Sequence, residues 1–323
     1  MLKCIENKLL RAVWLLLLVA CYSTIAQSSE PILPLPTAVD VDEAKAAIGK
    51  KLFFDTRLSA DGTISCASCH DLDKWGAETR NVSEGIKRQL GERNSPTVFN
   101  TVFNFKQFWD GRADNLSHQA LSPVTNPVEM GMISWDDALA KLQNGPSYSS
   151  EFHEVYGQAI SKELIVDAIA EFEKTLITPN APFDRYLRGD SAAINATQLK
   201  GYELFKSYGC VACHQGANVG GNMFQKFGVL EDISMQNGSL SDDLGRYTVT
   251  NNEWDKRVFK VPSLRLVTKT APYFHNGSVA TIQEAVDIMI KYQLGRGVPT
   301  EDRDAIIAFL ESLVGEKPQG VSQ

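Results

Sequence analysis

Two short stretches of the chain have the same form and carry residue types that could do chemistry together. They are Cys66-Ala67-Ser68-Cys69-His70 and Cys210-Val211-Ala212-Cys213-His214. In a C-x-x-C-H stretch the two thiols add to the vinyl groups of a haem, and the adjacent histidine can ligate its iron. One copy can arise by chance, whereas two copies predict two covalently attached c-type haems.

The composition is that of a globular protein with room for two domains. The chain has 323 residues, of which 43% are hydrophobic and 22% are charged, as is ordinary for such proteins. Four of its six cysteines belong to the two motifs, and Cys4 and Cys21 lie near the N terminus. The net charge of −7 argues against nucleic acid as a partner and leaves room for a basic electron-donor protein.

Residues 1–26 are predicted to be a signal peptide. Basic residues precede an uncharged stretch from Ala12 to Ala26, which is shorter than the roughly 20 apolar residues that a membrane span needs. Cleavage after Thr24-Ile25-Ala26 would release a soluble protein into the periplasm, whereas Leu18-Val19-Ala20-Cys21 resembles a lipobox that would leave a lipid anchor at Cys21. Both alternatives are open, and association with a membrane is expected only in the second.

Helical periodicity dominates the chain and strand signals are few, so a mainly α fold is expected. One helix begins near Val41, with Asp40 or Asp42 as its N-cap, and a second, Thr197–Ser207, runs straight into the second motif. We interpret this repeat as an internal duplication, with two cytochrome c-like haem domains in tandem. The expected boundaries are a signal peptide at 1–26, a linker at 27–38, a first haem domain at 39–190, a second at 191–315 and a tail at 316–323. Further helices are predicted around Leu116–Leu121, after Ser134, over Ile165–Leu176, after a capping box at Thr281 and around Ile306–Leu313.

Four further segments carry a resemblance to a known family. They read RNSPTVFNTVFNFKQFWDGRADNL, NPVEMGM, FKVPSLRLV and TAPYFHNGSVATIQEAVDIM. With the two haem motifs they make the chain resemble the bacterial di-haem cytochrome c peroxidases, a family that also holds the di-haem enzyme that matures methylamine dehydrogenase. The resemblance extends from about Ala47 to Leu313.

The resemblance implies a role for particular residues at both haems. His70 and His214 match the proximal ligands of the two irons, and Met289 matches the distal ligand of the second iron. Glu129 matches the acid–base group on the distal side of the first haem. Positions that match other parts of the family's site are Gln119 and Phe108 in the distal pocket, Trp109 between the haems, and Asn94 with the carbonyls of Thr270 and Pro272 at a Ca²⁺ site between the domains.

The implied activity is that of a cytochrome-c peroxidase. The first haem would reduce hydrogen peroxide, and the second would accept electrons from a small periplasmic donor, a cytochrome c or a cupredoxin; assembly as a homodimer is left open. Two alternatives stay open as well. One is an oxidase that acts on a protein or a small molecule through a high-valent haem state, and the other is a non-enzymatic di-haem electron carrier. Glu129 and Gln119 favour an enzyme, and Met289 favours electron entry at the second haem.

One position departs from the family's pattern. In many of these peroxidases a histidine in the loop after the first motif closes the resting first haem, and alignment of residues 85–94 (GIKRQLGERN) places Ile86 there. Isoleucine cannot ligate iron, and Lys87 is the nearest side chain that could replace the histidine. We therefore expect a first haem that is five-coordinate or water-bound as isolated, and an enzyme that is active without prior reduction.

Overall fold

The computed structural model describes residues 30–144, 148–233 and 242–321. The predicted signal peptide and both of its cleavage sites lie outside these residues. The helices lie at Glu43–Phe53 (α1), Cys66–Cys69 (α2), Leu116–Thr125 (α3), Trp135–Gln143 (α4), Tyr148–Tyr156 (α5), Lys162–Lys174 (α6), Pro182–Leu187 (α7), Ala196–Ser207 (α8), Tyr247–Thr250 (α9), Ile282–Ile288 (α10) and Thr300–Glu311 (α11). Two strands, Phe224–Lys226 (β1) and Val258–Lys260 (β2), pair antiparallel. The expectation of a mainly helical fold is confirmed.

Side-chain caps explain where several of these helices begin. Asp42 accepts hydrogen bonds from the backbone N–H groups of Ala44 and Lys45, so the second of the two predicted caps for α1 is the correct one. Asn195 and Gln198 form a reciprocal capping box at the start of α8. The hydroxyl of Thr281 accepts the backbone N–H of Glu284 at the start of α10. Such caps satisfy N–H groups that have no partner inside the helix.

Two helix pairs with matching contacts organise the fold. Helix α1 crosses α6 at Gly49, where a Cβ atom would lie 1.8 Å from the carbonyl oxygen of Ala168. Helix α8 crosses α11 at Gly201, where a Cβ atom would lie 1.9 Å from the carbonyl oxygen of Ala305. In both pairs the same glycine also approaches a phenylalanine Cβ to 2.9 Å, at Phe172 and Phe309 respectively. Both crossings thus place a glycine against a backbone carbonyl, and the internal duplication itself stays a prediction.

Each helix pair carries its own hydrophobic cluster. The first cluster includes Ile48 and Leu52 of α1 together with Ile165 and Ile169 of α6. The second includes the aromatic residues Phe183, Tyr202, Phe205 and Phe309 together with Ile306. Among the described residues no helix is both long enough and apolar enough to cross a membrane. The division into two haem domains at residue 190 stays a prediction.

The segment at residues 32–35, predicted as part of a linker, is extended but firmly attached. Ile32 and Leu35 are fully buried, and the Leu35 backbone N–H donates to Asp184. Asp184 also pairs with Arg265, and neither of these two side chains is exposed. The Arg265 guanidinium donates to the carbonyl of Leu33 as well (3.2 Å). We call this segment the N-terminal strap.

Candidate functional site

The first motif forms a single helical turn, α2, whose geometry suits haem attachment. The Ser65 backbone N–H donates to the Ser68 hydroxyl (2.9 Å), which stabilises the start of the turn. The Nδ1 atom of His70 lies 3.2 Å from the carbonyl oxygen of Gly76. A backbone partner at Nδ1 fixes the orientation of the ring and leaves Nε2 as the iron-binding atom. Burial raises the pKa of both thiols, Cys66 and Cys69, to about 12. They are therefore poor candidates for nucleophilic catalysis.

The second motif follows α8 directly and encloses its histidine closely. Gly220 packs beside His214, where a Cβ atom would lie 2.2 Å from the carbonyl oxygen of Pro262 and 3.2 Å from Nδ1 of the histidine. Burial lowers the pKa of His214 to about 4, so the ring is neutral at physiological pH. Its buried Nδ1 atom makes no hydrogen bond to any residue that the structure describes. A neutral imidazole is the form that ligates a metal.

Met289 lies where α10 changes its winding. The residues Met289–Gln293 form a π-helical turn that continues from α10. The half-buried Met289 side chain packs against a cluster that includes Tyr273, Ile288 and Tyr292, and Trp109 packs against the same cluster. Single π-turns within helices occur frequently at functional sites. The thioether and the predicted relay tryptophan thus pack against the same cluster in the second half of the chain.

Glu129 lies in a tight loop near the first motif. The Asn126 side-chain amide donates to Oε1 of Glu129 (2.7 Å), and the Asn126 side-chain carbonyl accepts the backbone N–H of Val128 (3.1 Å). Burial raises the pKa of Glu129, although Arg112 and the Asn126 bond partly lower it. The charge of Glu129 acts on both Cys66 and Cys69. The structure therefore brings the acid and the first haem attachment point together.

Ile86 packs against the loop that carries Glu129. Its backbone N–H donates to the carbonyl of Glu129 (2.8 Å), and its side chain is 4% exposed. Gly131 has a φ of 64°, in the left-handed region that favours glycine, and a Cβ atom there would lie 2.1 Å from the Ile86 Cδ1 atom. Lys87 is exposed and adopts a left-handed conformation with φ of 54°. The loop after the first motif thus presents an apolar side chain, and no imidazole, to the Glu129 loop.

Trp109 is held by backbone groups from both halves of the chain. Its indole N–H donates to the carbonyl of Asn94 (3.0 Å), and its own carbonyl accepts the backbone N–H of Lys260 (2.7 Å). The indole lies edge-on to His275, with ring centroids 6.4 Å apart, and His275 stacks on Phe259 at 4.3 Å. These contacts give the indole a fixed position between the halves.

Phe108 and Gln119 are the other two predicted pocket residues; Phe108 directly precedes Trp109, and Gln119 lies on α3. Phe108 has a φ of 66°, which is uncommon for a bulky residue, and the Arg112 guanidinium lies 3.5 Å from the centre of its ring. A strained conformation of this kind is compatible with a functional role. Gln119 is a half-buried residue of α3.

Of the predicted Ca²⁺ residues, Asn94 is buried and bonded to the segment that follows Thr270 and Pro272. Asn94 is 6% exposed, and its side-chain amide donates to the carbonyls of Arg80 (3.1 Å) and Asn81 (3.2 Å). Its backbone N–H donates to the carbonyl of His275 (2.7 Å), which follows Pro272 closely in sequence. Within residues 30–144, 148–233 and 242–321, no group of three or more His, Cys, Asp or Glu residues could hold a metal ion. A Ca²⁺ site here would depend on amide and carbonyl oxygens, and it stays a prediction.

Four residues near the site were not singled out from the sequence. The charge of Arg112 lowers the pKa of Glu129, and the charges of Glu78 and Glu173 raise the pKa of Cys69 and of Cys66 respectively. The fourth residue, Lys260, lies beside Trp109. Burial raises the pKa of Glu78 to about 7 and that of Glu173 to about 8. Glu173 follows Ile169 by four residues on the buried face of α6, and that spacing was the signal that could have identified it.

The residues of both motifs fit a c-type haem. All four cysteines have free thiols and are only partly buried. Both histidines are half-buried, and desolvation lowers the pKa of each ring and so favours the neutral form. Each also has a nearby glycine whose missing side chain leaves room for the imidazole or its supporting loop: Gly76 and Gly220. Thiol pairs open to a ligand and neutral, oriented imidazoles are what haem attachment and ligation require.

Comparisons with known proteins agree on one family. Residues 43–192 match a family model described as di-haem cytochrome c peroxidase. The chain is 50% identical to the cytochrome c peroxidase of Escherichia coli over 89% of its own length, and it spans 62% of that relative. It is 43% identical to the cytochrome c551 peroxidase of Nitrosomonas europaea, covering 91% of this chain and 87% of the relative. A solved structure of a MauG-like protein associated with microbial copper homeostasis is similar with a TM-score of 0.76 and 25% identity, covering 91% of this chain and 95% of the other.

Proposed function

Because the chain belongs to the di-haem cytochrome c peroxidase family, we propose that it reduces hydrogen peroxide to water in the periplasm, with electrons from a small donor protein. The donor would be a cytochrome c or a cupredoxin. The observation that carries the proposal is the position of Glu129. Glu129 is a half-buried acid that is oriented by Asn126, and the charge of Glu129 acts on the cysteines of the first motif.

Reduction of one hydrogen peroxide consumes two electrons and two protons and yields two waters. A c-type haem bound through Cys66, Cys69 and His70 would supply the iron and the electrons at this site. Glu129 Oε1 or Oε2 would accept the proton from the peroxide oxygen nearest the iron and return it to the departing oxygen. Positioned acid–base groups typically contribute about 10²–10⁴-fold to a rate. Burial raises the pKa of Glu129 and so makes the carboxyl a better proton acceptor than an exposed glutamate.

The second half of the chain would deliver the electrons. His214 and Met289 would hold the haem that accepts them, because a thioether ligand favours a high reduction potential. Trp109 lies between the halves and contacts both through hydrogen bonds to Asn94 and Lys260. We propose that it is the relay between the haems. Asn94, Thr270 and Pro272 would bind Ca²⁺ and stiffen the segments on either side of this relay.

We further propose that the first haem needs no reductive activation. The support is Ile86, which is buried against Gly131 in the loop where an imidazole would be required. His118 and His153 are exposed, and His275 packs beside Trp109 in the second half. The all-ferric protein should therefore show one high-spin and one low-spin haem by electron paramagnetic resonance. Two low-spin haems would contradict this part of the proposal.

The test of the activity is steady-state peroxide turnover with a reduced cytochrome c or cupredoxin as donor. Glu129→Gln should lower kcat/KM by about 10²–10⁴-fold, with both haems still attached. Glu92→Gln, at an exposed glutamate, is the matched control and should turn over like the wild type. Unchanged turnover in Glu129→Gln would refute the mechanism, and absence of turnover in the wild type with every donor would favour the oxidase or carrier alternatives.

A further inference from the structure

Lys260 is a buried cation for which the described residues provide no anion. It is the last residue of β2, and only 9% of its surface is exposed. Its backbone N–H donates to Trp109, but its side chain has no ion pair or hydrogen bond with any residue in 30–144, 148–233 or 242–321. Burial alone lowers the pKa of Lys260 to about 8, and no neighbouring carboxylate opposes that shift. With that pKa, most molecules would carry a positively charged Lys260 at neutral pH.

Two other cations with little solvent exposure, the buried Arg265 and the half-buried Arg93, have partners. Arg265 is 1% exposed and makes two hydrogen bonds to the carboxylate of Asp184, at 2.8 and 3.1 Å. Arg93 donates to both Asp243 and Asp110. An unpaired charge in the interior is costly, by several kcal/mol in real proteins, which explains why such pairs are the rule. Lys260 departs from that rule, which points to an anion outside the polypeptide.

The position of Lys260 indicates which anion this is. Its own backbone contacts Trp109, and two residues later the carbonyl of Pro262 packs against Gly220 beside His214. The lysine therefore lies on the segment that leads from the relay tryptophan to the second haem motif. A c-type haem attached by its vinyl groups keeps its propionate carboxylates free, and these are the anions that the proposed function brings to this place.

We propose that Lys260 binds a propionate carboxylate of the haem attached at Cys210 and Cys213. The inference rests on the proposed attachment of that haem. A fixed positive charge close to the haem stabilises the reduced iron relative to the oxidised iron, because reduction removes one positive charge from the centre. Lys260 thus helps Met289 to raise the potential of the haem that takes electrons from the donor. It is a positioning and charge-setting residue and does not touch peroxide.

Spectroelectrochemical titration of the holoprotein tests this pairing. Lys260→Met should lower the midpoint potential of the haem on His214 while leaving that of the haem on His70 in place. Lys260→Arg keeps the charge and should retain most of the wild-type potential. Lys226→Met removes an exposed lysine from the neighbouring strand β1 and should change neither potential. Haem stoichiometry by intact mass confirms that each variant carries both haems.

Unchanged potentials in Lys260→Met would overturn the proposal, as would a shift confined to the first haem. If Lys260→Met does not accumulate with both haems, the resonance Raman propionate bending mode of the second haem is compared between wild type and Lys260→Arg. The frequency should differ, because an ammonium and a guanidinium hydrogen-bond a carboxylate differently; identical frequencies would refute direct contact. Peroxide turnover is not a readout here. If Lys260→Met shows the shift in potential but the wild type reduces no peroxide, only the peroxidase proposal is refuted. If the wild type reduces peroxide but Lys260→Met shows no shift, only the pairing is refuted.

Discussion

Alanine at Gly49 or at Gly201 should destabilise the protein by a similar amount. At both positions the added Cβ atom would strike a backbone carbonyl oxygen, at 1.8 Å from Ala168 or 1.9 Å from Ala305, where ordinary contact begins at 3.4 Å. A backbone atom cannot rotate away as a flexible side chain can. Each helix pair would therefore have to separate by about 1.5 Å along this contact, which would open the cluster that the pair encloses.

Two opposing effects set the size of the loss. Alanine favours a helix over glycine by about 1 kcal/mol, whereas forcing an extra carbon into a packed core costs about 1–3 kcal/mol and occasionally more. Because the clash is with backbone, we take the upper end and expect a net loss of about 2 kcal/mol. For a chain of 323 residues, whose unfolding entropy is about 2 cal/mol/K per residue, that corresponds to a fall in Tm of about 3 °C.

The measurement is thermal unfolding of the holoproteins by far-ultraviolet circular dichroism. Gly297→Ala is the matched control, since a Cβ atom there would meet nothing within 4 Å and the backbone does not have a positive φ. It should unfold at or slightly above the wild-type Tm. If Gly49→Ala and Gly201→Ala unfold with the control, the close crossings do not hold the helix pairs together. A loss at only one of the two would refute their equivalence.

Three further predictions concern buried charges. Since the pKa of Glu173 is about 8 in the folded protein and about 4.5 in the unfolded chain, the folded state binds more protons between these values, and stability should fall as pH rises from about 4.5 to 8. The free energy of unfolding, measured with urea at pH 5 and pH 8, should show this loss in the wild type and not in Glu173→Gln; an equal change with pH in both proteins would contradict it. Asp184→Asn should lower the free energy of unfolding by about 3 kcal/mol in the same assay, because it leaves Arg265 buried without its anion; a loss below 1 kcal/mol would contradict it. For Glu129, raised pKa means that kcat/KM should fall with acidification at a pH above the ordinary glutamate range, and Arg112→Gln should move this acid limb to higher pH because Arg112 lowers the pKa; a limb that stays in place would exclude that interaction.

Local chemistry allowed much of the helical framework to be predicted. Asp42, Ser134 and Thr281 act as N-caps through bonds to N–H groups two or three residues away. Such interactions depend on a few neighbouring residues, so the sequence displays them directly. The haem motifs belong to the same class, because their five residues carry the whole pattern.

Features that depend on distant partners could not be predicted in this way. Strands β1 and β2 pair across a long intervening segment. Each strand has only three residues, which is too short for a period-2 pattern to appear. Lys260 looks like an ordinary surface lysine until its strand is packed beside Trp109. The raised pKa of Glu173 likewise requires its burial in the folded chain. Tertiary burial, more than residue type, gives these groups their chemistry.

The N-terminal strap imposes an order on biogenesis. Leu33 and Leu35 are among the first residues of the described chain, yet the bond from Arg265 to Leu33 spans 232 positions. During synthesis this bond cannot form until residue 265 has emerged, so the strap cannot dock completely before most of the chain has been made. Closing so long a loop is entropically unfavourable, and its cost grows slowly with length. Docking of the strap would thus be completed late in folding, and a chain that ends before Arg265 would leave Asp184 without its cation.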